Sequence, residues 1–400
     1  MDQARYQVRL SHALSEVSAQ AWNRVANPPG LDFDPFVSWE FLEALERSEA
    51  VGGEAGWLPH HLIAEGPGGE IAGAMPLYLK SHSYGEFVFD HNWADAFQRS
   101  GGRYYPKLLC AVPFTPVTGR RLLVSPGPDA AVVRNALVEA ALGLVARGRL
   151  SSLHVNFPDN ADLSLLSSAG CLVRHDQQFQ FFNRGYRDFG DFLASLSSEK
   201  RKNLRKERAK AADGVNYRLL TGADIRPEHW DAFFLFYMDT GARKWGTPYL
   251  NRETFALVGE RLADHVLLVM AYEDGVDTPI AGALNLIGSK ALYGRYWGTV
   301  SDRPFLHFET CYYQAMDWAI ARGLERVEAG AQGGHKLARG YEPVRTQSAH
   351  WIAHAGFREA VADFLKRERE LVARDHDWLA SRTPFRKGPT ATDDDGGEEA

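Results

Sequence analysis

The residues best equipped for chemistry in this 400-residue chain are grouped in GAQGGHKLARG, positions 330–340. Glycine admits backbone conformations that expose N–H donors to a ligand. Gly330, Gly333, Gly334 and Gly340 here enclose His335, Lys336 and Arg339. Backbone donors, a titratable imidazole and two cations together suit an anion, or an oxygen on which negative charge develops. The two cations differ, since lysine is a movable point charge and arginine a planar fork matched to phosphate. The competing structural reading is that the glycines only turn the chain and the charges are solvated. A carboxylate, Glu309, stands in the first turn of a predicted helix just upstream, where it serves either as a base or simply opposes the helix dipole. Tyr293, Tyr296 and Tyr341 are the candidate acids.

These residues need a scaffold, and the stretch 280–345 supplies one. Ala281 to Ile287 and Ala291 to Trp297 are apolar or aromatic runs of strand length separated by Gly288-Ser289-Lys290, which has hairpin-turn chemistry. His307 to Arg322 follows as a helix, with Phe308, Cys311, Tyr312, Ala315, Ala319 and Ile320 at three- and four-residue steps and Gly323 as C-terminal cap. Glu325 to Ala329 then reads as a strand parallel to an earlier one, because a helical crossover separates parallel neighbours. Arg295, Tyr296 and Trp297 end one strand and the glycine-basic loop follows the other, so both strand ends face one cleft.

Composition restricts the alternatives. The apolar content (45%) is that of a globular chain with a core, and the length allows two or three domains. No window approaches the roughly 20 apolar residues of a membrane-spanning helix, and the N-terminus lacks an apolar core segment, so a cytoplasmic protein is expected. Cys110, Cys171 and Cys311 are odd in number and far apart, fitting neither a disulfide framework nor a paired-cysteine zinc site. The net charge of −6 disfavours general nucleic-acid coating. No P-loop, strand-linked G-x-G-x-x-G or G-x-S-x-G occurs, which excludes the common nucleotide, dinucleotide and serine-hydrolase chemistries. The nearest histidine pairs, His60-His61 and His350 with His354, lack metal-site spacing or the zincin glutamate, so no metal is expected.

Elsewhere, Val37 to Arg47 is an amphipathic helix capped by Ser38, followed by strand-length runs at His61 to Ala64, Ile71 to Leu79 and Phe87 to Phe89. IAGA recurs at 71–74 and 280–283, and a helix ending in Ala-Arg-Gly followed by a strand recurs in LVEAALGLVARGRLSSLHVNF and YYQAMDWAIARGLERVEAGAQ. The repeated order implies a duplicated unit. The first copy carries an aromatic-rich insertion at about 90–122, where Trp93 and Tyr105 are candidates to cover an acceptor groove, joined by Lys244 and Trp245 of the loop GARKWGTPYL. Between the copies, SSEKRKNLRKERAKAADG predicts a basic helix capped by Ser197 or Ser198, whose Arg201 and Arg205 either contact phosphate or form a solvated face. The expected division is 1–180, a connecting strand and basic helix at 181–215, 216–380, and a disordered acidic tail at 381–400.

PLYLKSHSYGEFVFDHNWADAF, KRKNLRKER, YGRYWG, LHFETCYYQ and GAQGGHKLARGYEP, in two copies of helix, antiparallel strands, helix and strand, resemble the FemAB-like acyltransferases. In particular they resemble a bacterial family described as predicted N-acyltransferases or peptidoglycan biosynthesis/recognition proteins. The resemblance implies an α/β fold (α+β), with tandem GNAT-like acyltransferase domains and mixed central sheets, and an active site in the second. It implies transfer of an acyl or aminoacyl group to a small-molecule or peptide amine. Glu309, His335, Lys336 and Tyr341 would be the catalytic group, with Arg295, Tyr296, Trp297, Gly333, Gly334 and Arg339 at the donor. No tightly bound cofactor is implied, and the co-substrate is acyl-CoA or aminoacyl-tRNA. The connection GTVSDRPFLH has one glycine where acetyl-CoA users place a glycine-rich pyrophosphate loop. Fem-type enzymes also lack that loop and use aminoacyl-tRNA, which would give the basic helix a partner. A catalytically inert module recognising a cell-envelope glycopeptide or an acylated carrier is the alternative.

Overall fold

The structure, a computed structural model, describes residues 6–243, 248–330 and 333–386. Lys244, Trp245 and positions 387–400 of the expected tail lie outside the described residues; its first part, 381–386, is not disordered but docks beside Ser195–Ser197, with Phe385 bridging to Leu196.

Alternation of short apolar runs with turn chemistry makes the first half mostly strands: β1 (Gln7–Ser11), β2 (Trp57–Pro59), β3 (His61–Glu65), β4 (Ile71–Met75), β5 (Leu77–Lys80), β6 (Lys107–Cys110), β7 (Leu123–Val124), β8 (Ser152–Asn156) and β9 (Leu172–Phe182). The second half follows with β10 (Val215–Thr221), β11 (Val266–Glu273), β12 (Pro279–Ile287), β13 (Ala291–Thr299), β14 (Arg326–Glu328) and β15 (Glu342–Ile352). The predicted hairpin is β12 and β13, joined by residues 288–290. The helix after it, in three consecutive segments Leu306–Phe308, Glu309–Tyr313 and Gln314–Ala321, stops before Gly323 at φ +67°. As the crossover requires, β14 is parallel to β13. Ser38 accepts from the Phe41 N–H at the start of Trp39–Arg47.

The two halves share a plan in which a long helix crosses from one strand to a parallel neighbour, Ala130–Gly148 between β6 and β8 as the site helix does between β13 and β14. They are then joined by exchange. The first half closes with β9, which pairs with β14; the second closes with β15, which pairs with β8; and β9 and β15 pair with each other from Gln180 and Glu342 to Leu172 and His350. One eleven-stranded sheet results, in the order β10-β11-β12-β13-β14-β9-β15-β8-β6-β5-β2, beside a four-stranded sheet β1-β3-β4-β7. The expected boundary at 180 therefore falls inside β9.

Phe87 to Phe89 is not a strand. Phe87 has φ +57°, which no ladder accommodates, and the Glu86 and Phe89 carbonyls are taken by the Asn156 and Arg174 side chains. Within the stretch expected as an insertion, β6 is a sheet strand, and residues 81–106 with the helix His91–Arg99 form the added segment. The basic helix spans Ser198–Ala211; the Ser197 side chain makes no capping bond, and its N–H donates to Pro384 O instead.

Tyr313, Ala315, Met316, Ala319 and Ile320 of the site helix bury against Leu292, Val327 and Phe181. Each large apolar side chain so buried contributes about 1.5–3 kcal/mol. The helix and both site strands are thus held by core packing, and the loop after β14 is what remains to be positioned.

Candidate active site

The site begins where β13 and β14 part. Their pairing covers only Ala291 to Tyr293 against Arg326 to Glu328, and β13 runs on to Thr299 with no strand on that edge. Its partner on the other side is β12, and there the register skips. Leu284 faces Tyr296 and Asn285 faces Gly294, so Arg295 is the extra residue of a bulge, a device that re-aims side chains and bends a strand. A Cβ on Gly294 would stand 3.3 Å from Glu328 O, so a side chain at the point of divergence would press on the β14 backbone.

A cavity of about 80 Å³ fills the fork, lined by Gly294, Tyr296, Trp297, His307, Tyr312 and Ala329. A second, of about 340 Å³, opens at the start of the site helix beside Ser301, Arg303 and Phe305. Both are lined by Trp297 and His307, whose rings stack at 4.2 Å and stand between the outer and inner spaces. Within the site helix, Glu309–Tyr313 is a π-helical turn, an irregularity frequent at functional sites.

The glycine-basic loop folds over this fork as a short 3-10 helix, Gly334–Arg339. Lys336 is 2% exposed, and its ammonium donates to Gly330 O at 2.9 Å, just beyond the end of β14. Burial pulls its pKa down to about 8, a shift the nearby Cys311 partly opposes. His335 is exposed at the rim with Nε2 3.0 Å from the Tyr312 hydroxyl. Burial, with the Arg339 and Lys336 charges, lowers the imidazole pKa, so at neutral pH the ring is uncharged and can accept from Tyr312. Tyr312, which lines the inner cavity, has its own pKa raised by burial and remains a proton donor. Gly333, at φ +119°, makes the turn into this helix, and Gly334 is exposed at its start.

Several expected site residues have other employment. Glu309 is 2% exposed, its carboxylate held by Arg208 at 2.8–3.2 Å and by Gln314 at 2.8 Å; an anion so paired positions the helix and is not a free base. Arg339 donates to both carboxylate oxygens of Glu207 and to His335 O, and lies 3.3 Å from the Phe308 ring centroid, so its fork clamps the loop to the basic helix rather than holding a donor phosphate. Tyr341 is fully buried and lines neither cavity. Arg295 and Tyr296 do line the inner cavity, yet both donate to Phe114 O of the first half. Arg201 and Arg205 line neither cavity, although Arg201 shares a helix face with Leu204 and Arg208; of this helix it is Leu204, Glu207 and Arg208 that meet the site. Trp93 is 5% exposed in a small core beneath the helix Ala355–Ala380, and Tyr105 bonds to Ser83, both remote from the fork. Among the described residues no three metal-ligating side chains converge, and no helix is long and apolar enough to cross a membrane.

Tyr312 and His307 escaped the sequence reading because they sit within a helix whose period spoke for core. The available signal was that Phe308 and Tyr312, at i and i+4, turn the same face toward the loop that carries His335.

A family model described as peptidoglycan biosynthesis/recognition matches residues 13–387. The chain belongs to the FemAB-like family. Among solved structures, FemX superposes on this FemAB-like chain with a TM-score of 0.51 at 12% identity, over 88% of this chain and 100% of FemX. The C-terminal domain of a putative lysylphosphatidylglycerol synthetase from Agrobacterium fabrum follows at 0.49 and 10%, over 88% and 96%. A tandem GNAT protein from the clavulanic acid pathway gives 0.43 and 12%, over 87% and 99%. At such identities the likeness to FemX is one of fold. No curated protein matches the chain.

Proposed function

We propose that this FemAB-like protein is an N-acyltransferase that moves an acyl or aminoacyl group from an activated carbonyl donor to an amine in the fork between β13 and β14. The observation that supports this most is the fork itself: among the described residues β13 has a strand edge without a partner beyond Tyr293, the Tyr312–His335 pair stands at the cavity beside it, and the loop over it carries the buried Lys336 ammonium. The donor's acyl end would enter past Trp297 and His307 into the inner cavity. As the neutral amine attacks, a C–N bond forms and the carbonyl oxygen becomes an oxyanion, met by β13 N–H groups and the Lys336 ammonium; preorganised donors of this kind are the largest single contribution in acyl transfer. The ammonium proton passes to the Tyr312 oxygen as the Tyr312 proton passes to His335 and on to solvent. Collapse breaks the C–S bond of a thioester or the C–O bond of an aminoacyl ester, and Lys336, with a pKa of about 8, is suited to protonate a leaving oxygen.

For the donor, Arg303 at the outer cavity is already engaged by Glu273 and Asp213 O, but Lys210 of the basic helix lies 6.0 Å from the Phe305 ring that lines this cavity. That supports a donor whose phosphates run outward along the basic helix, as in aminoacyl-tRNA, with acyl-CoA as the alternative. An inert recognition module is favoured only by the internal pairing of Glu309 and Arg339. The test is incubation of the purified full chain with labelled acyl-CoAs or charged tRNAs and an amine mixture. Label stable to mild base indicates an amide and supports transfer, whereas donor binding without transfer across the panel would establish the module.

A further inference from the structure

The loop 83–90 of the first half has no regular secondary structure, and yet it is braced from beneath. Trp57 Nε1 and Lys80 Nζ both donate to Tyr84 O, at 3.2 and 3.3 Å; Asn156 donates to Glu86 O at 3.2 Å and Arg174 to Phe89 O at 2.8 Å. Lys107 donates to the Ser83 hydroxyl at 2.8 Å, and Ser83 in turn meets the Tyr105 hydroxyl at 2.8 Å. Five buried or half-buried side chains thus hold a loop that presents its aromatic side chains outward. Tyr84 is 64% exposed and Phe89 52%. With Tyr249 of the second half, 40% exposed, and with His91, they surround a cavity of about 340 Å³ floored by Ser83. That volume is at the lower end for small-molecule sites, enough for a ring or two.

Two bulky residues beside this cavity occupy the left-handed backbone region, Phe87 at φ +57° and Phe114 at φ +56°, a strained conformation that persists where the surroundings enforce it and that concentrates at functional sites. Phe114 also joins this cavity to the fork. Its ring stacks on Tyr249 at 4.9 Å and abuts Gly85, where any Cβ would fall 2.6 Å from it, while its carbonyl accepts from Arg295 and Tyr296 of the inner acyl cavity. No Lys, Arg, Asp or Glu lines the cavity among the described residues. Beneath it, Lys80 and Lys107 are balanced by Glu86 and Asp90. A peptide or nucleotide with formal charges would find no counter-charge there. Ser83 is already engaged by Lys107 and Tyr105, so a ligand with an apolar face for the rings, hydroxyls for His91 and the exposed Tyr84, and no charge would be matched.

We propose that this cavity binds a neutral sugar ring of the acceptor, placing a glycan beside the acyl site; it rests on the transferase reading only for the word acceptor. The test is titration of the full chain with tri-N-acetylchitotriose, followed by saturation-transfer NMR, which needs no donor and no turnover. Saturable binding is expected, weakened tenfold or more by Tyr84→Ala and by Tyr249→Ala. Both side chains are substantially exposed, so the fold should survive, as circular dichroism would verify, and Lys336→Met should leave sugar binding unchanged. Absence of saturable binding, binding by either rim variant equal to that of the wild type, or displacement of the sugar by an uncharged short peptide with higher affinity would each overturn the proposal. Sugar binding that persists in a protein unable to transfer from any donor would instead sink the transferase reading and leave this one standing.

Discussion

Lys107 in the first half and Lys336 in the second are both buried ammonium groups, at 0% and 2% exposure, and they end in opposite states. An ammonium has three protons to donate. Lys107 gives all three, to Ser83, Glu86 and Asp90 at 2.8, 2.9 and 2.5 Å. Burial alone would lower its pKa, but the two carboxylates outweigh burial and hold it raised. Among the described residues Lys336 donates once, to a backbone carbonyl, with no carboxylate beside it, and burial draws its pKa down to about 8. The same contrast extends to the strand ends. Beyond Glu328 the chain leaves β14 for the glycine loop. In β8, His154 and His350 of β15 close on each other, Nδ1 to Nδ1 at 2.6 Å, with Ser152 and Ser348 at their outer nitrogens at 2.7 and 2.8 Å. A buried lysine whose three protons are all taken is architecture, and one with protons to spare is where a substrate can bind.

If that contrast holds, the largest effect belongs to the saturated lysine. Lys107→Met leaves two buried carboxylates facing each other and should cost about 3–5 kcal/mol of stability, read from denaturant midpoints. A loss below 1 kcal/mol would mean that the cluster is not structural. Lys336→Met should instead lower turnover by about a hundredfold or more, the magnitude for losing one oxyanion donor, with donor affinity little changed. Wild-type turnover in a folded Lys336→Met protein would remove the loop from the chemistry. Wild-type activity that depends on the ammonium should be full below about pH 8 and fall as pH rises through that value.

The histidine pair gives a smaller, graded effect. Burial lowers the His154 pKa to about 3, with Lys107 adding to it, and drives His350 well below its ordinary value. The unfolded chain therefore takes up protons first, so this contribution to stability is complete above about pH 6.5 and is lost as pH falls toward 3. A His154→Asn, His350→Asn double variant should flatten the acid side of the stability profile; an unchanged slope would show that other groups set it. The smallest effect should come from Arg201 and Arg205 of the basic helix, the first half-buried and the second exposed. Arg201→Glu with Arg205→Glu should change stability by only about half a kcal/mol each, while lowering the salt slope of tRNA binding by about 0.7–0.9 per lost phosphate contact. An unchanged slope would return both residues to ordinary solvation.

The hairpin, the crossover helix with its Gly323 cap, and β14 were legible because local period and turn chemistry determine them. The partners of individual polar residues were not. Glu309 and Arg339 read as a base and a phosphate ligand because their counter-ions, Arg208 and Glu207, lie 101 and 132 residues away in sequence. Trp93 and Tyr105 marked an aromatic segment correctly, but composition does not say which rings face out, and the exposed ones are Tyr84 and Phe89. Lys336 and His335 were visible because glycines beside cations restrict what a loop can do wherever its neighbours are.

The exchange of β9 and β15 also governs when the protein can become itself. During synthesis the first half can assemble β1 to β8, but the strand that flanks β8 is β15, which leaves the ribosome after almost everything else. Until then β8 has an unpaired edge and β9 has neither neighbour, and such edges invite pairing with other chains. The first half therefore completes its sheet only once β15 has been made, and its edges are exposed to mispairing from the completion of β8 until then.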